Sequence, residues 1–355
     1  MSKMDKTEAI RTFVLDFAAH RKLNPGERIP SIRELADMTG SSLLTVHRAV
    51  SAMVTEGILQ ARRGSGFYIA PASQVKSNII GIFFSCRAEE NSFVSKVLQK
   101  LHDAIAAAGF LPIFLYCSGE SPLKLENLSL GGAVIYNSRR FADEISVRLK
   151  KLNIPMVCIN DIPARLDMPR ISTDNTALGE MVANCFIRNG HRNFMILPPP
   201  GNAATVQERI RGFRLALAEN NLNTEYCTVF NEEKQNVDFD DPECQKQYIA
   251  QAAEFLKTHR EITAVFAIHD VLALMLVQKL SVCGLRVPED ISVIGCDNQS
   301  FCATMEPALT TVAQPLTAIA AETAQTLLAN PADVCGKTVT FKPELIERSS
   351  VKKLN

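Results

Sequence analysis

The chain has 355 residues, more than one ordinary core accommodates, so two or three compact units are expected. At 46% hydrophobic and 21% charged residues, with no low-complexity tract, the composition is that of a globular protein and excludes fibrous and disordered classes. Basic and acidic residues balance at 38 each, yet residues 1–70 hold ten Lys+Arg against seven Asp+Glu, a head of +3 on a body of −3.

Ile10, Phe13, Val14 and Phe17 recur at helical spacing and mark a first helix with one buried stripe. After the breaker Asn24-Pro25-Gly26, Ser31 and Glu34 form a capping box that starts a second helix, with Ile32, Leu35 and Ala36 inward and Gly40 closing it. Ser41-Ser42 cap a third helix with the apolar face Val46, Ala49, Val50 and Met53, which stops at Gly57. Two short helices joined by a tight glycine turn have the geometry of a helix-turn-helix. The outer face of the third helix (Ser42, Leu43, Thr45, His47, Arg48) is small or hydrogen-bonding with one cation, which suits a major groove and equally suits a solvated helix face. The stretch 58–69 then reads as two strands joined by a glycine-rich turn with adjacent cations, Arg62 and Arg63. Such a wing can grip the DNA backbone or minor groove.

The segment LNPGERIPSIRELADMTGSSLLTVHRAVSAMVTEGILQARRGSGFYIA resembles the winged-helix head of GntR-type bacterial regulators. The resemblance implies DNA contacts from Arg33 at the start of the second helix, from Ser42, Leu43, Thr45 and His47, and from the wing tip Arg63, Gly64 and Ser65. The family usually has Arg where Leu43 stands and often Arg where His47 stands. Leucine cannot pair bidentately with guanine, so the base code does not carry over from relatives.

Residues 72–78 lack periodicity and contain Ser and Lys after Pro71, as expected of a linker that follows a head spanning 1–71. From residue 79 the pattern changes to strand-then-helix units. Apolar runs at 79–84, 111–117, 132–136, 155–159, 194–197, 263–268 and 291–296 mostly alternate with amphipathic helices, among them one carrying Val94, Val97, Leu98, Leu101 and Ile105. That pattern is an α/β fold with parallel sheet covered on both faces, and the length of 79–350 calls for two doubly wound lobes. Such lobes bind ligands beyond the carboxyl ends of their strands.

Catalytic signatures are missing: GxGxxG after a strand, GxxxxGK[ST], HExxH and GxSxG do not occur. His269-Asp270 at a strand end is the best acid–base pair, but a cap or pocket-lining pair reads the same way, and no nucleophile stands beside it. The ten cysteines show no CxxC pair, and Cys86, Cys117 and Cys158 sit in apolar runs, as buried free thiols do. No run approaches the roughly 18 apolar residues of a membrane span, and the charged start Lys3, Asp5, Lys6, Glu8 is no secretory signal. A cytoplasmic non-enzyme without cofactor, metal or membrane contact is expected.

The segments AVFAIHDVLALMLVQKLSVCGLRVPEDISVIGCDN, PALTTVAQPL and FKPELIERSS resemble the effector domain of LacI-type regulators, itself similar to periplasmic sugar-binding proteins. ISTDNTALGEMVANCFIRNGHRNFMIL and ERIRGFRLAL extend the likeness. It implies a two-lobed, periplasmic-binding-protein-like domain with three crossovers, the N-lobe about 79–160 and 314–335, the C-lobe about 161–313 and 336–350. It also implies ligand contacts: Arg209 as a fork for hydroxyls or a carboxylate, and Asp297 as an acceptor. Asn160 stands where the family commonly has Asp, and His269 where it commonly has Asn, so the ligand differs in detail; Phe93 offers a face for a sugar ring. Asp174-Asn175 reads as a helix cap. Together these imply a repressor that binds a palindromic operator in double-stranded DNA as a homodimer and is released by a small metabolite, a monosaccharide above others. An activator, a corepressor-dependent repressor or a sugar-binding protein without DNA function are the alternatives.

Overall fold

The structure is a computed structural model of the chain, and it describes residues 6–21, 23–55, 57–62, 64–70, 77–85, 92–117, 125, 128–136, 142–160, 168–201, 203–231, 241–329 and 334–354. Contacts divide it into two compact units, Met1–Ile79 with Lys124–Gly131 and Lys150–Ile154, and Ile80–Leu123 with Gly132–Leu149 and Pro155–Asn355.

The first unit holds the head: helices α1 (Lys6–His20), α2 (Ile32–Thr39) and α3 (Leu43–Thr55), then strands β1 (Leu59–Arg62) and β2 (Gly66–Ile69) paired antiparallel. Ile10, Val14, Leu35, Val46, Val50 and Met53 are buried together, so each helix contributes the stripe its spacing dictates. The capping box at α2 is formed. The Glu34 amide donates to Ser31 Oγ at 3.3 Å, and the Ser31 amide donates to Glu34 Oε2 at 2.7 Å. Gly40 closes the helix at φ 62°, a left-handed conformation that costs glycine least.

The second unit carries two six-stranded sheets. One has the order β13-β7-β6-β5-β3-β4, built from β3 (Ile79–Phe84), β4 (Leu111–Tyr116), β5 (Gly132–Tyr136), β6 (Met156–Ile159), β7 (Arg170–Thr173) and β13 (Thr338–Phe341). The other has the order β14-β12-β11-β10-β8-β9, from β8 (Phe194–Leu197), β9 (Cys227–Val229), β10 (Ala264–Ala267), β11 (Ser292–Cys296), β12 (Thr310–Ala313) and β14 (Glu344–Ile346). The pairings from β13 to β3 and from β12 to β9 are parallel, and β14 is antiparallel to β12. Helices α4 (Ser92–Ala107) and α10 (Leu316–Leu328) pack their apolar faces on the first sheet.

The strand partners correct the lobe limits expected from sequence. β7 lies at 170–173 and β13 at 338–341, both inside stretches assigned to the second lobe, yet β7 pairs with β6 and β13 with β7 in the first sheet. Among the described residues the chain therefore passes between sheets after Thr173, after Ala313 and between Phe341 and Glu344. The crossovers lie together: the Asp174 amide donates to the Phe341 carbonyl at 2.8 Å, and Thr173 Oγ1 donates to Gln314 Oε1 at 2.8 Å.

In the second lobe α6 (Asn175–Arg188) and α7 (Ala204–Glu219) touch backbone to backbone. A Cβ on Gly179 would lie 2.0 Å from the Arg209 carbonyl oxygen, and one on Gly212 would lie 2.0 Å from that of Thr176. Only glycine fits at either place, because neither carbonyl can move without unwinding its helix. Gly212→Ala should therefore cost roughly 1–3 kcal/mol as overpacking. Thermal unfolding followed by circular dichroism measures it; an unchanged melting temperature would show that the two helices separate freely.

Candidate functional site

On the head, Arg33, Ser42, Leu43, His47, Arg48, Arg62, Gly64 and Ser65 are exposed and Thr45 is half-buried. Arg63 lies outside the described residues. The Ser42 hydroxyl caps α3, accepting from the Thr45 amide at 3.2 Å and pairing with Thr45 Oγ1 at 2.8 Å, so both hydroxyls are held at the helix start. Leu43 and Leu44 are 52% and 63% exposed, an apolar pair at the start of α3. The wing is tight: the Ser65 amide donates to the Arg62 carbonyl at 2.9 Å, and Ser65 Oγ bonds the Tyr68 hydroxyl. The Arg62 guanidinium lies 4.2 Å from the Tyr68 ring centroid, a cation held over a π face. Arg28 bridges to Tyr68 and flanks Gly66, placing a further cation at the wing root. It was not singled out from sequence, since it precedes the helix-turn-helix by several residues and only the strand pairing brings it there.

In the body, five polar residues follow strand ends: Asn160 after β6, Asn175 after β7, His269 after β10, Asp297 after β11 and Gln314 after β12. Asn160, Asp297 and Asn298 hold positive φ of 71°, 116° and 46°, conformations that cost non-glycine residues of order 1–3 kcal/mol each and recur at binding sites. Phe93, Asn160 and Gln314 line one pocket with Tyr136 and Ile159; it holds about 280 Å³, open solvent at its mouth included. Gln314 joins this pocket to the second lobe, its Nε2 donating to Asp297 Oδ1 at 2.8 Å. The Asp297 side chain is only 3% exposed, and His269 Nδ1 stands 3.5 Å from its second oxygen. Asn160 Oδ1 accepts from Ser172 Oγ at 3.3 Å.

Arg209 is buried, and two of its donors are engaged within the protein: Nε to Asn175 Oδ1 at 2.9 Å, and Nη1 to the Ile268 carbonyl at 3.0 Å. Its Nη2 has no hydrogen-bond partner among the described residues. Asn175, read from sequence as part of a cap, is an organiser besides. Its Nδ2 reaches Ser172 Oγ, the Thr173 carbonyl and Glu208 Oε2, and Glu208 pairs with Arg170 Nη2 at 3.0 Å. Asp174 does cap α6, accepting from the Ala177 amide at 2.9 Å.

His269 and Asp270 part company. His269 turns to Asp297, whereas Asp270 is fully buried and accepts from the Gln299 amide at 2.8 Å, Thr311 Oγ1 at 2.6 Å and Cys302 Sγ at 3.1 Å. Burial first, and the Asp297 charge second, push the Asp270 carboxyl above its usual range, while the donors from Thr311, Gln299 and Cys302 oppose the shift. Its partners make it a brace of the loop 297–302 rather than an acid–base group. Among the described residues no cluster of His, Cys, Asp or Glu could hold a metal, and no helix is long and apolar enough to cross a membrane.

Two parallel-sheet lobes with polar side chains gathered at their strand ends, on one chain with a winged helix, define a ligand-responsive transcriptional regulator. Comparison with known proteins agrees. Residues 19–69 match the model for bacterial regulatory proteins of the gntR family, and residues 183–351 match a periplasmic binding protein-like domain. The arabinose metabolism transcriptional repressor of Geobacillus stearothermophilus is 26% identical over 362 residues, covering 96% of each chain. The HTH-type transcriptional repressor PurR of Aliivibrio fischeri (strain MJ11) is 32% identical over 272 residues, 74% of this chain and 78% of its own. A LacI family transcriptional regulator from Enterococcus faecalis V583, solved with bound ribose, superposes with a TM-score of 0.64 at 26% identity, over 78% of this chain and all of its own. The chain belongs to this family of bacterial transcriptional repressors, with a gntR-family head on a LacI-type body.

The contrast between the neighbours 269 and 270 can be measured. Asp270→Ala should cost on the order of 3 kcal/mol, because buried donors lose their acceptor, while His269→Ala should stay within about 1 kcal/mol of the parent. Urea unfolding of both variants checks this, and equal losses would contradict the assignment of Asp270 as the brace.

Proposed function

We propose that the chain represses transcription by binding a pseudo-palindromic operator as a homodimer through its winged helices, and that a small carbohydrate held between the lobes releases it. One winged helix spans too few base pairs for useful specificity, so two copies on a two-fold operator are needed. DNA contacts are assigned to Arg33, Ser42, Leu43, Thr45, His47, Arg48 and the wing residues Arg62, Arg63, Gly64 and Ser65. Effector contacts are assigned to Phe93, Asn160, Arg209, His269 and Asp297, with Gln314 added by the geometry. The observation that carries the reading is the Asp297 carboxylate, an almost buried acceptor between an imidazole and the Gln314 amide. Hydroxyl donors satisfy such an acceptor well. Two relatives support the chemical class: one is named for arabinose metabolism, and one was solved with ribose. The protein works in the cytoplasm, where its DNA partner is, and without catalysis. Effector and operator affinities are then linked reciprocally, each lowering the other by the same factor.

Fluorescence anisotropy on DNA from the protein's own promoter, with and without pentoses and hexoses, tests this. At least one sugar should weaken operator binding by roughly 5–150-fold, and Asp297→Ala should keep operator affinity while losing that response. Equal occupancy with and without every sugar that binds would overturn the proposal.

The wing contact has a separate signature. Arg63→Ala should weaken operator binding across DNA sequences and lower the slope of log K against log salt by about one unit. An unchanged slope over a salt titration would remove Arg63 from the interface.

A further inference from the structure

We infer that the head reads thymine through carbon: Leu44, with Leu43 beside it, packs on the C5 methyl group of a thymine in each operator half-site. The inference rests on the operator reading above. The spacing of α3 sets the direction. Val46, Ala49, Val50 and Met53 form its buried face. Leu44, His47, Arg48 and Ser51, at i, i+3, i+4 and i+7, lie on the opposite face, and Leu44 begins that row. Leu43 stands at the edge of the row, and both leucines are more than half exposed. Neither takes part in the core of the head, which Val46, Val50 and Met53 build with Ile10, Val14 and Leu35.

The charge around the pair identifies its occupant. No carboxylate stands anywhere in α3, although the free amides of a helix start favour one in the first turn. Arg48 on the same face, Arg33 on α2 and Arg62 on β1 are exposed cations of the head. Two leucines among cations fit a polyanion that carries carbon within reach of its charges. Duplex DNA is such a partner: phosphates flank the major groove, and among the groups its base pairs present there the thymine methyl is the apolar one. Against guanine, adenine or cytosine a leucine would cover a donor or acceptor and return no hydrogen bond. The polar groups of the first turn hold it in shape. Ser42 Oγ lies 2.8 Å from Thr45 Oγ1 and accepts from the Thr45 amide, and His47 Nδ1 lies 3.3 Å from Ser51 Oγ. Leu44 is therefore carried on a fixed turn at the end of the helix that meets base edges.

Duplexes that the full chain selects from a random pool supply operators for the test. Fluorescence anisotropy then compares each operator with versions in which single thymines are replaced by deoxyuridine, which removes the methyl group and leaves every donor and acceptor in place. At one thymine of each half-site the replacement should weaken binding about fourfold, the worth of one buried carbon group. Replacing both should weaken it about fifteenfold, since the two sites are far apart and independent. Leu44→Ala should bring the thymine-to-uracil ratio at that position to about 1.5 or less, because alanine is too short to cover the methyl group. Arg63→Ala should leave the ratio as it is. Both leucines are exposed, so the variants should fold, which circular dichroism checks, and the wild-type ratio decides without them. Uracil tolerated at every thymine, selected half-sites without thymine, or a ratio that survives Leu44→Ala would overturn this inference and leave the operator reading intact. So would a Leu44→Ala protein that sediments as a monomer with the ratio unchanged, which would assign the pair to a protein contact. A pool that yields no preferred duplex would sink the operator reading and this inference with it.

Discussion

The geometry of the body hangs on the hydrogen-bonded contact between its crossovers. Thr173 ends the first sheet's β7, Gln314 follows the second sheet's β12, and the bond between them joins the two points where the chain changes lobe. The Asp174 amide adds the third crossover by donating to Phe341. Lobes joined through three bonded strands can rotate about that line but cannot slide, which is what hinge closure requires. Gln314 has one end on Thr173 and the other on Asp297, so any change in the company Asp297 keeps is felt at the hinge one side chain away. Two carboxylates stand close there, Asp270 and Asp297, and each is tolerable when buried only because donors surround it.

The same bonds explain what the sequence could and could not disclose. The head was legible almost entirely, because its information is local: Ser31 with Glu34 writes the cap, and Val46, Ala49, Val50 and Met53 write the buried face of α3. All seven apolar runs became strands. Among the strands that escaped pattern reading are β7 (RIST), β12 (TTVA) and β13 (TVTF), whose hydroxyl side chains break the apolar signal, and one of them, β7, carries a group that bonds across the lobes. Thr173 bonds Gln314, and Thr311 bonds Asp270. Assigning β7 and β13 to the wrong lobe follows from this. Parallel pairing of strands 165 residues or more apart is decided by partners, and nothing in RIST alone names β13 as its neighbour. Gln314 stayed unassigned for a related reason: an amide between a strand and a proline looks like a turn residue until both its ends are seen bonded.

Arg209 shows how far a guanidinium can be spent inside the protein. A guanidinium has five donors, and here Nε and Nη1 are spent on Asn175 and the Ile268 carbonyl. It therefore fixes the start of α6 and the residue before His269, whatever else its outer nitrogen meets. The neighbouring pair Arg170–Glu208 ties β7 to α7 across the lobe boundary, and Asn175 bonds Glu208 as well. A charge this far from water is sustained only by such a network, so the direction of Nη2, the donor proposed for the effector, is already set. Preorganisation of that kind lowers the ordering cost of binding and favours specificity over mere attraction.

A ligand can drive closure only by the difference in free energy it finds between open and closed states. Contacts confined to the second lobe would be made in both states and would shift nothing, however tight. For the proposed ligand, regulatory energy must therefore come from the first lobe's wall, which among the described residues presents Phe93, Val97, Leu101 and Ile319 beside Tyr136 and Asn160. Lys96 Nζ on α4 donates at 3.3 Å to the carbonyl oxygen of Asn298, the residue after Asp297, and so joins the two lobes beside the site. Recognition by the polar lobe and closure by the apolar one are then separate tasks, and a ligand that satisfies only the first should bind without switching.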